Sequence, residues 1–448
     1  MLKRLFRASV RHKDGIPILP GMLPIVGAVP LFYHRMPEAL RAAEQELGPL
    51  FWARLFGGRW FLCWTERESF DILKSRSVTS RHYTEEAGIL FGESMITRDG
   101  PPHQHVRSAA NAPFTPRGLS ASGASAITGE MIAAAVERWV RAGEITVVRE
   151  TQELTLDIIF RIMGIPGQDL SAWRAQYRQL LLAVFELPIN PPGSPLHRAQ
   201  KALAWLERSL LALIEESRRR GDTSAEGATG IIAALAHARD DAGAPLSDRE
   251  LLDNLRLLAL AGHETTASTL AWIVVQLALR PDLCEALADE ARGAGEIPRT
   301  VQDLRKHSVA EGLFRECLRL YPPINLLNRQ TTEPMTVRGH HLPAGTRIST
   351  SVLSLSRDPA LYASPDTFDP FRWKGRAPTS LETCQFGGGP HFCLGYHLAW
   401  TECVQLALAL GLAMARTGVR PRLGRSGAPR AVYFPLTHPS PRTTIELR

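Results

Sequence analysis

Cys393 is the residue with the most chemistry to offer. It lies near the end of the run Phe386-Gly387-Gly388-Gly389-Pro390-His391-Phe392-Cys393-Leu394-Gly395, and a helical pattern from about Leu394 to Arg416 follows at once. A structural zinc site wants four ligands at paired spacings, which a lone cysteine in a glycine-rich loop does not supply. It supplies one thiolate, suited to a metal that a cofactor otherwise holds. On a haem iron such a thiolate pushes electron density onto the metal and favours O–O cleavage. The glycines let the backbone approach a flat macrocycle closely and take φ > 0. Amides around the sulfur and at the helix start stabilise the thiolate.

A second constellation is Ala261-Gly262-His263-Glu264-Thr265-Thr266, inside the apolar pattern from Leu251 to Leu279. Glycine, an acid and two hydroxyls are poor helix material. Threonine hydroxyls bond preceding carbonyls and open a helix locally, so a kink is expected here. Such a kink makes a groove where dioxygen fits, with Glu264 and Thr265 placed to route protons. Glu316-Cys317-Leu318-Arg319 sets an acid and a base three apart on one helical face, among Leu313, Phe314 and Leu320. His103 and Arg107 are four apart on a helix that begins near Pro102. His105 reads as a surface cation.

The cysteine loop resembles that of the cytochrome P450 family, the haem-thiolate monooxygenases, with Phe386, Gly389, His391, Cys393 and Gly395 in the signature slots. The resemblance covers nearly the whole chain and is closest to the soluble bacterial members. It implies a cofactor, haem b (iron protoporphyrin IX), with Cys393 as the iron ligand and Phe386 and Gly395 beside it. It implies propionate partners His103, Arg107, Arg329 and His391, and an acid–alcohol pair, Glu264 and Thr265. Glu316 and Arg319 would join Arg372 of Phe368-Asp369-Pro370-Phe371-Arg372-Trp373 in assembling the haem pocket. Phe371 stands where the family usually has a glutamate. Ala261, Asn325 and Leu326 fall in segments expected to line the substrate pocket, with Asn325 read either as a polar contact to substrate or as a turn residue. The implied reaction inserts one oxygen atom of O2 into a lipophilic small molecule: a terpenoid, steroid, fatty acid or polyketide. Electrons would come from a ferredoxin or flavodoxin and its NAD(P)H-dependent reductase, since the chain runs on from Cys393 only to Arg448. Two other readings are a haem carrier or sensor, and a peroxide-using or isomerising haem-thiolate enzyme. The acid–alcohol pair disfavours both. A haem-free metal protein built on His340-His341 lacks convincing ligand spacing.

Bulk properties bound the rest. The chain has 448 residues, 44% of them hydrophobic, and a formal charge of +7. No aromatic-studded basic stripe supports nucleic-acid binding; a basic face for an acidic electron donor fits better. Six scattered cysteines do not form a disulfide scaffold, which points to reduced thiols and a cytoplasmic setting. No N-terminal apolar stretch is long enough for a membrane span, and a monomer is expected from the family. The pattern predicts an α+β, mainly α-helical fold with a small β-rich part, and the resemblance implies a single P450-like unit over 1–448. It comprises a proline-rich extended lead-in (1–30), a short helix over 37–47 and a β-hairpin of 50–55 with 59–64. Helices are predicted over 102–112, 123–142, 150–163, 170–186, 196–219, 228–238, 246–279, 281–293 and 307–320. Strands follow near 336–337 and 347–350 and in the last 30 residues, with the cysteine-ligand loop at 386–395.

Overall fold

The computed structural model describes residues 10–55, 58–181, 191–221 and 230–448. The basic start, the end of the predicted 170–186 helix, the proline-containing break just after it up to Asn190, and the 222–229 loop lie outside the described residues. The lead-in is extended, with His12–Lys13 paired antiparallel to Ile16–Pro17. It ends earlier than expected: helix α1 spans Val29–Leu47. Pro30 sits in its first turn, where a missing N–H costs nothing. Pro37 sits inside, and the helix is broken at Arg35 (φ −135°).

Strands β1 (Leu50–Leu55) and β2 (Arg59–Trp64) form the predicted hairpin, with Leu50 opposite Trp64. The sheet they start is completed from distant parts of the chain. Strand β3 is Val78–Thr79, β4 is Leu326–Thr331 and β5 is Arg347–Ser351, in the order β1-β2-β5-β4-β3. β5 runs parallel to β2 and antiparallel to β4. Strand β4 was not predicted. Leu-Leu-Asn-Arg-Gln-Thr has no clean alternation, and its partners are remote in sequence.

The helical part contains α2 (Gly100–Asn111), α3 (Ala124–Ala142), α4 (Val147–Met163), α5 (Asp248–Leu279), α6 (Ser308–Leu320) and α7 (Tyr396–Thr417). Helix α5 starts at a capping box between Ser247 and Glu250. It is the axis of the molecule, buried from Leu251 to Ala259 and again from Thr266 to Leu277. In between, residues 260–265 are open except for His263. A helix otherwise buried becomes partly accessible at five of these six positions, most of all at Ala261. The expected kink is absent: α5 is one uninterrupted helix. Thr265 bonds back to the Ala261 carbonyl without breaking the ladder.

Helix α7 packs against α3 and α6, and Trp400–Leu412 is buried throughout. Residues 389–417 form a stretch apolar and long enough to cross a membrane, but 83% of its most apolar window lies inside the fold. It is a core helix. All six cysteines are free, and only Cys393 is not fully buried.

Candidate active site

Cys393 sits where the chain turns from the glycine-rich loop into α7. Its N–H donates to the Phe386 carbonyl at 2.9 Å, which closes the loop on itself. The Phe386 ring packs edge-on against Tyr396 at 4.7 Å and faces Phe392 at 6.2 Å, so one side of the loop is walled by aromatics. Burial pushes the Cys393 thiol up from its ordinary value, against the Gly395 amide and the Arg107 charge, which both favour the thiolate. The buried thiols of Cys63 and Cys384 are pushed up to about 12, in Cys63 with no opposing group at all. Cys393 is thus set apart by the combination of the Gly395 amide and the nearby Arg107 charge, both of which favour its thiolate.

Two of the loop glycines, Gly387 (φ +76°) and Gly389, take the positive φ expected of them, and Gly389 has a further role. Gly389 has φ +63°, and a Cβ there would lie 2.7 Å from the Leu73 carbonyl. The close approach is to the Arg67–Lys74 turn, which props the loop from behind, and a Gly389 side chain would push the two apart.

Four predicted cationic residues converge around this loop. Arg107 on α2 donates to the Phe392 carbonyl at 2.7 Å. His103, one turn earlier, has its ring 4.4 Å from that of His391. His391 Nε2 lies 2.9 Å from Asp99 Oδ1. Arg329 is buried on β4 and donates to its neighbour's carbonyl, Asn328 O. Asp99 precedes α2 but does not cap it. It takes hydrogen bonds from the Thr79 hydroxyl (2.6 Å) and the Ser80 amide (3.0 Å) instead. Burial would raise the Asp99 carboxyl, but the His391, Thr79 and Ser80 contacts win and hold it well below the usual range. His105 is elsewhere, 2.7 Å from Asp240 and 3.6 Å from Glu250.

Sequence reasoning missed His82. It is fully buried, and neither ring nitrogen has a hydrogen-bond partner. Burial and the charges of Arg329 and Arg347 push it down to about 4. No local signal in Arg81-His82-Tyr83 marks it. The same forces, with His391 and Arg107 as the cations, push His103 down to about 4.

This cluster fits an anionic cofactor. Neither Arg107 nor Arg329 has a carboxylate within ion-pair distance among the described residues. Both are sheltered from water, and burial lowers the affinity of both for their protons. A buried cation without a counterion is costly, and a group carrying two carboxylates relieves it.

The acid–alcohol pair lies in the open window of α5. Thr265 Oγ1 donates to the Ala261 carbonyl at 2.5 Å. Glu264 faces α4: Gln152 Nε2 donates to its Oε2 at 3.0 Å, and His263 Nε2 is 3.2 Å from its Oε1. His263 is anchored in turn by Thr155 at 3.0 Å. Burial opposes ionisation of Glu264, but His263 and Gln152 hold its carboxyl below the usual value. Ala261 is exposed in the window, and Leu326 packs in the core cluster around α1 and β1. Asn325 is no free polar group. Its Nδ2 donates to the Tyr433 carbonyl, and its Oδ1 accepts from Thr437 Oγ1 at 2.6 Å. It staples the C-terminal hairpin (431–432 with 438–439) to the start of β4.

Glu316, Arg319 and Arg372 form a closed knot away from the window. Arg319 grips Glu316 with two bonds, 2.9 and 2.6 Å, and Arg372 adds one at 3.0 Å. Trp373 Nε1 and the Asp369 amide complete the shell at 2.9 Å each. The Phe371 side chain is 45% exposed and takes no part in the knot.

A profile of the cytochrome P450 family matches residues 17–414. The chain belongs to the cytochrome P450 family. It is 38% identical over 436 residues to Cytochrome P450 BJ-4 of Bradyrhizobium diazoefficiens, covering 97% of this chain and 96% of that one. It is 31% identical over 435 residues to cyclooctatin synthase of Streptomyces melanosporofaciens, covering 92% of each. Among solved structures, retinoic acid bound cyanobacterial CYP120A1 superposes with a TM-score of 0.80 at 26% identity, over 97% of this chain and 99% of that one. The heme domain of cytochrome P450DA shares the fold, with a TM-score of 0.80 at 20% identity over 92% of each chain. The α+β, mainly helical architecture is the P450 fold. The protein is a haem-thiolate monooxygenase that binds haem b.

Proposed function

We propose that Cys393 is the thiolate ligand of the haem iron and that His103, Arg107, Arg329 and His391 take the two propionates. The observation that carries this reading is a buried arginine, Arg329, and a half-buried one, Arg107, neither with a carboxylate partner among the described residues, beside the one cysteine backed by an amide and a cation. When bound, haem b supplies the binding and reductive cleavage of dioxygen and the transfer of one oxygen atom to substrate. The chain's own residues do the rest. Arg107 ties α2 to the Phe392 carbonyl and keeps positive charge near the sulfur. Glu264 and Thr265 hold and pass protons at the open window of α5. Glu316, Arg319 and Arg372 lock the segment that leads into the cysteine loop.

The substrate we infer is a mid-sized lipophilic molecule of the isoprenoid kind. Ala261 opens the window with a small apolar side chain, whereas Leu326 belongs to the core cluster around α1 and β1. Asn325 is tied up in holding the C-terminal hairpin and is not offered to substrate. One relative is named cyclooctat-9-en-7-ol 5-monooxygenase, and the superposed CYP120A1 holds retinoic acid; both names describe lipophilic compounds. Electrons would come from an acidic ferredoxin or flavodoxin and its reductase, drawn to a chain of charge +7.

The test combines two steps. Isoprenoid alcohols and acids are titrated while the haem absorption band is followed, and the best ligand is used for turnover. Thr265→Ala should bind haem and ligand as the wild type does, yet lose roughly 10²-fold in productive proton delivery and release peroxide instead. Wild-type coupling of electron use to product in Thr265→Ala would show that Thr265 has no such role.

A further inference from the structure

Glu264 does not point at Thr265. It points toward α4 and the C-terminal hairpin, and there it borders a cavity of about 20 Å³. The polar residues around that cavity are Gln152, Glu264, Ser268 and His438, and Val148 and Leu436 are among the apolar ones. This is room for a single water, and two to four polar partners are what a buried water needs. His438 sits on the outer side, half-buried, where the chain returns to the surface. Its position is fixed twice. Ser268 donates to the Thr437 carbonyl, and Thr437 itself donates to Asn325. His438 Nδ1 lies 2.6 Å from the Pro439 carbonyl. A carbonyl only accepts, so Nδ1 carries a hydrogen and Nε2 is the nitrogen that gains and loses a proton.

We propose that protons reach Glu264 from solvent through His438 and one water held in this cavity, with Gln152 and His263 positioning the carboxylate. The inference rests on the reading of Glu264 as a proton donor at the α5 window. In the step, the protonated Nε2 gives its proton to the cavity water, and the water gives one of its own to a Glu264 carboxylate oxygen. His438 then recovers a proton from solvent, so the route consumes nothing but solvent protons. His438 is a positioning and relay residue, since it acts on the reaction only through Glu264. Three features agree with the route. His438 is among the charges that lower the Glu264 carboxyl. Glu264 is held by two neutral-capable donors and by no Lys or Arg, so its proton is not locked by a permanent charge. His263 and Thr155, on its other side, are buried and form a dead end, leaving the His438 side as the way out.

The experiment has two arms. In the first, ¹⁵N-histidine NMR follows the His438 titration in the diamagnetic ferrous carbon monoxide complex. Glu264→Gln removes a negative neighbour, so the His438 midpoint should move to lower pH; an unmoved midpoint overturns the proposal. In the second, coupling and its solvent isotope effect are measured for His438→Gln and His438→Phe, with Glu264→Gln alongside. Both His438 variants should lose coupling by roughly tenfold, less than a direct acid would, and show an altered isotope effect. A loss in Glu264→Gln with none in the His438 variants overturns the route while leaving Glu264 as donor. No loss in any of the three overturns the route and the role of Glu264 together.

Discussion

Glu316 and Arg329 are both buried charged side chains, on α6 and on β4, and they are treated in opposite ways. Glu316 receives five hydrogen bonds, from Arg319 (two), Arg372, Trp373 and the Asp369 amide. Arg319 spends its remaining N–H groups on the Ser356, Pro365 and Thr367 carbonyls. Nothing in that knot is left to bind a ligand. Arg329 and Arg107 are sheltered too, but each has a backbone carbonyl in place of a carboxylate. The first arrangement is self-sufficient and belongs to the architecture. The second is complete only with an anion from outside the chain.

The contrast is broken most severely at Glu316. Glu316→Ala strands Arg319 and frees Arg372 at a site closed to water, at a cost of about 3–5 kcal/mol. The variant should express poorly or fail to retain haem, as read by denaturant unfolding and haem content. A stable, haem-replete Glu316→Ala would place the pair at the surface.

Arg329→Leu should behave in the reverse sense. The haem-free chain should be as stable as the wild type or more so, because an uncompensated buried cation has been removed. Haem should leave faster by about tenfold or more, since a hydrogen bond to a charged group is worth about 1.5–3 kcal/mol. Transfer of haem to an excess of haem-free globin measures this. Loss of apoprotein stability with unchanged haem retention would assign Arg329 to the fold.

Much of this was legible in the sequence, and the exceptions share a cause. Helices at 124–142 and 281–294 match the apolar periodicity to within a residue or so. Cys393 was readable because its whole loop is local. Strand β4 was not, since only β3 and β5, remote in sequence, make it a strand. The predicted helix over 37–47 begins too late, because Pro30, counted with the proline-rich lead-in, serves as a first-turn residue of α1. The kink expected in α5 is absent although Thr265 makes the back-bond to the Ala261 carbonyl that was expected to open the helix, so that bond alone does not break it. His82, Gln152 and His438 carry no motif at all, and only the packing of distant elements gives them a role.

A smaller effect sharpens the comparison on its cationic side. His82 and His103 sit at about 4 in the folded chain, against about 6.5 when unfolded. The unfolded chain therefore takes up protons below about pH 6.5 that the folded chain refuses. Stability should be full above that pH and fall as pH drops toward about 4, by at most about 1.4 kcal/mol per pH unit for each ring. His82→Phe should flatten the slope, as seen in denaturant unfolding at a series of pH values. An unchanged slope would mean that His82 does not resist protonation.

The central claim is that Cys393 alone supplies the iron's thiolate, and the ferrous carbon monoxide spectrum of Cys393→Ala tests it most directly. The wild type should give the red-shifted band of a thiolate-bound haem, and the variant should lose that band even where some haem is retained through Arg107 and Arg329. A thiolate-type band that survives in Cys393→Ala would contradict the account, because it would require a sulfur from one of the five cysteines buried elsewhere in the core.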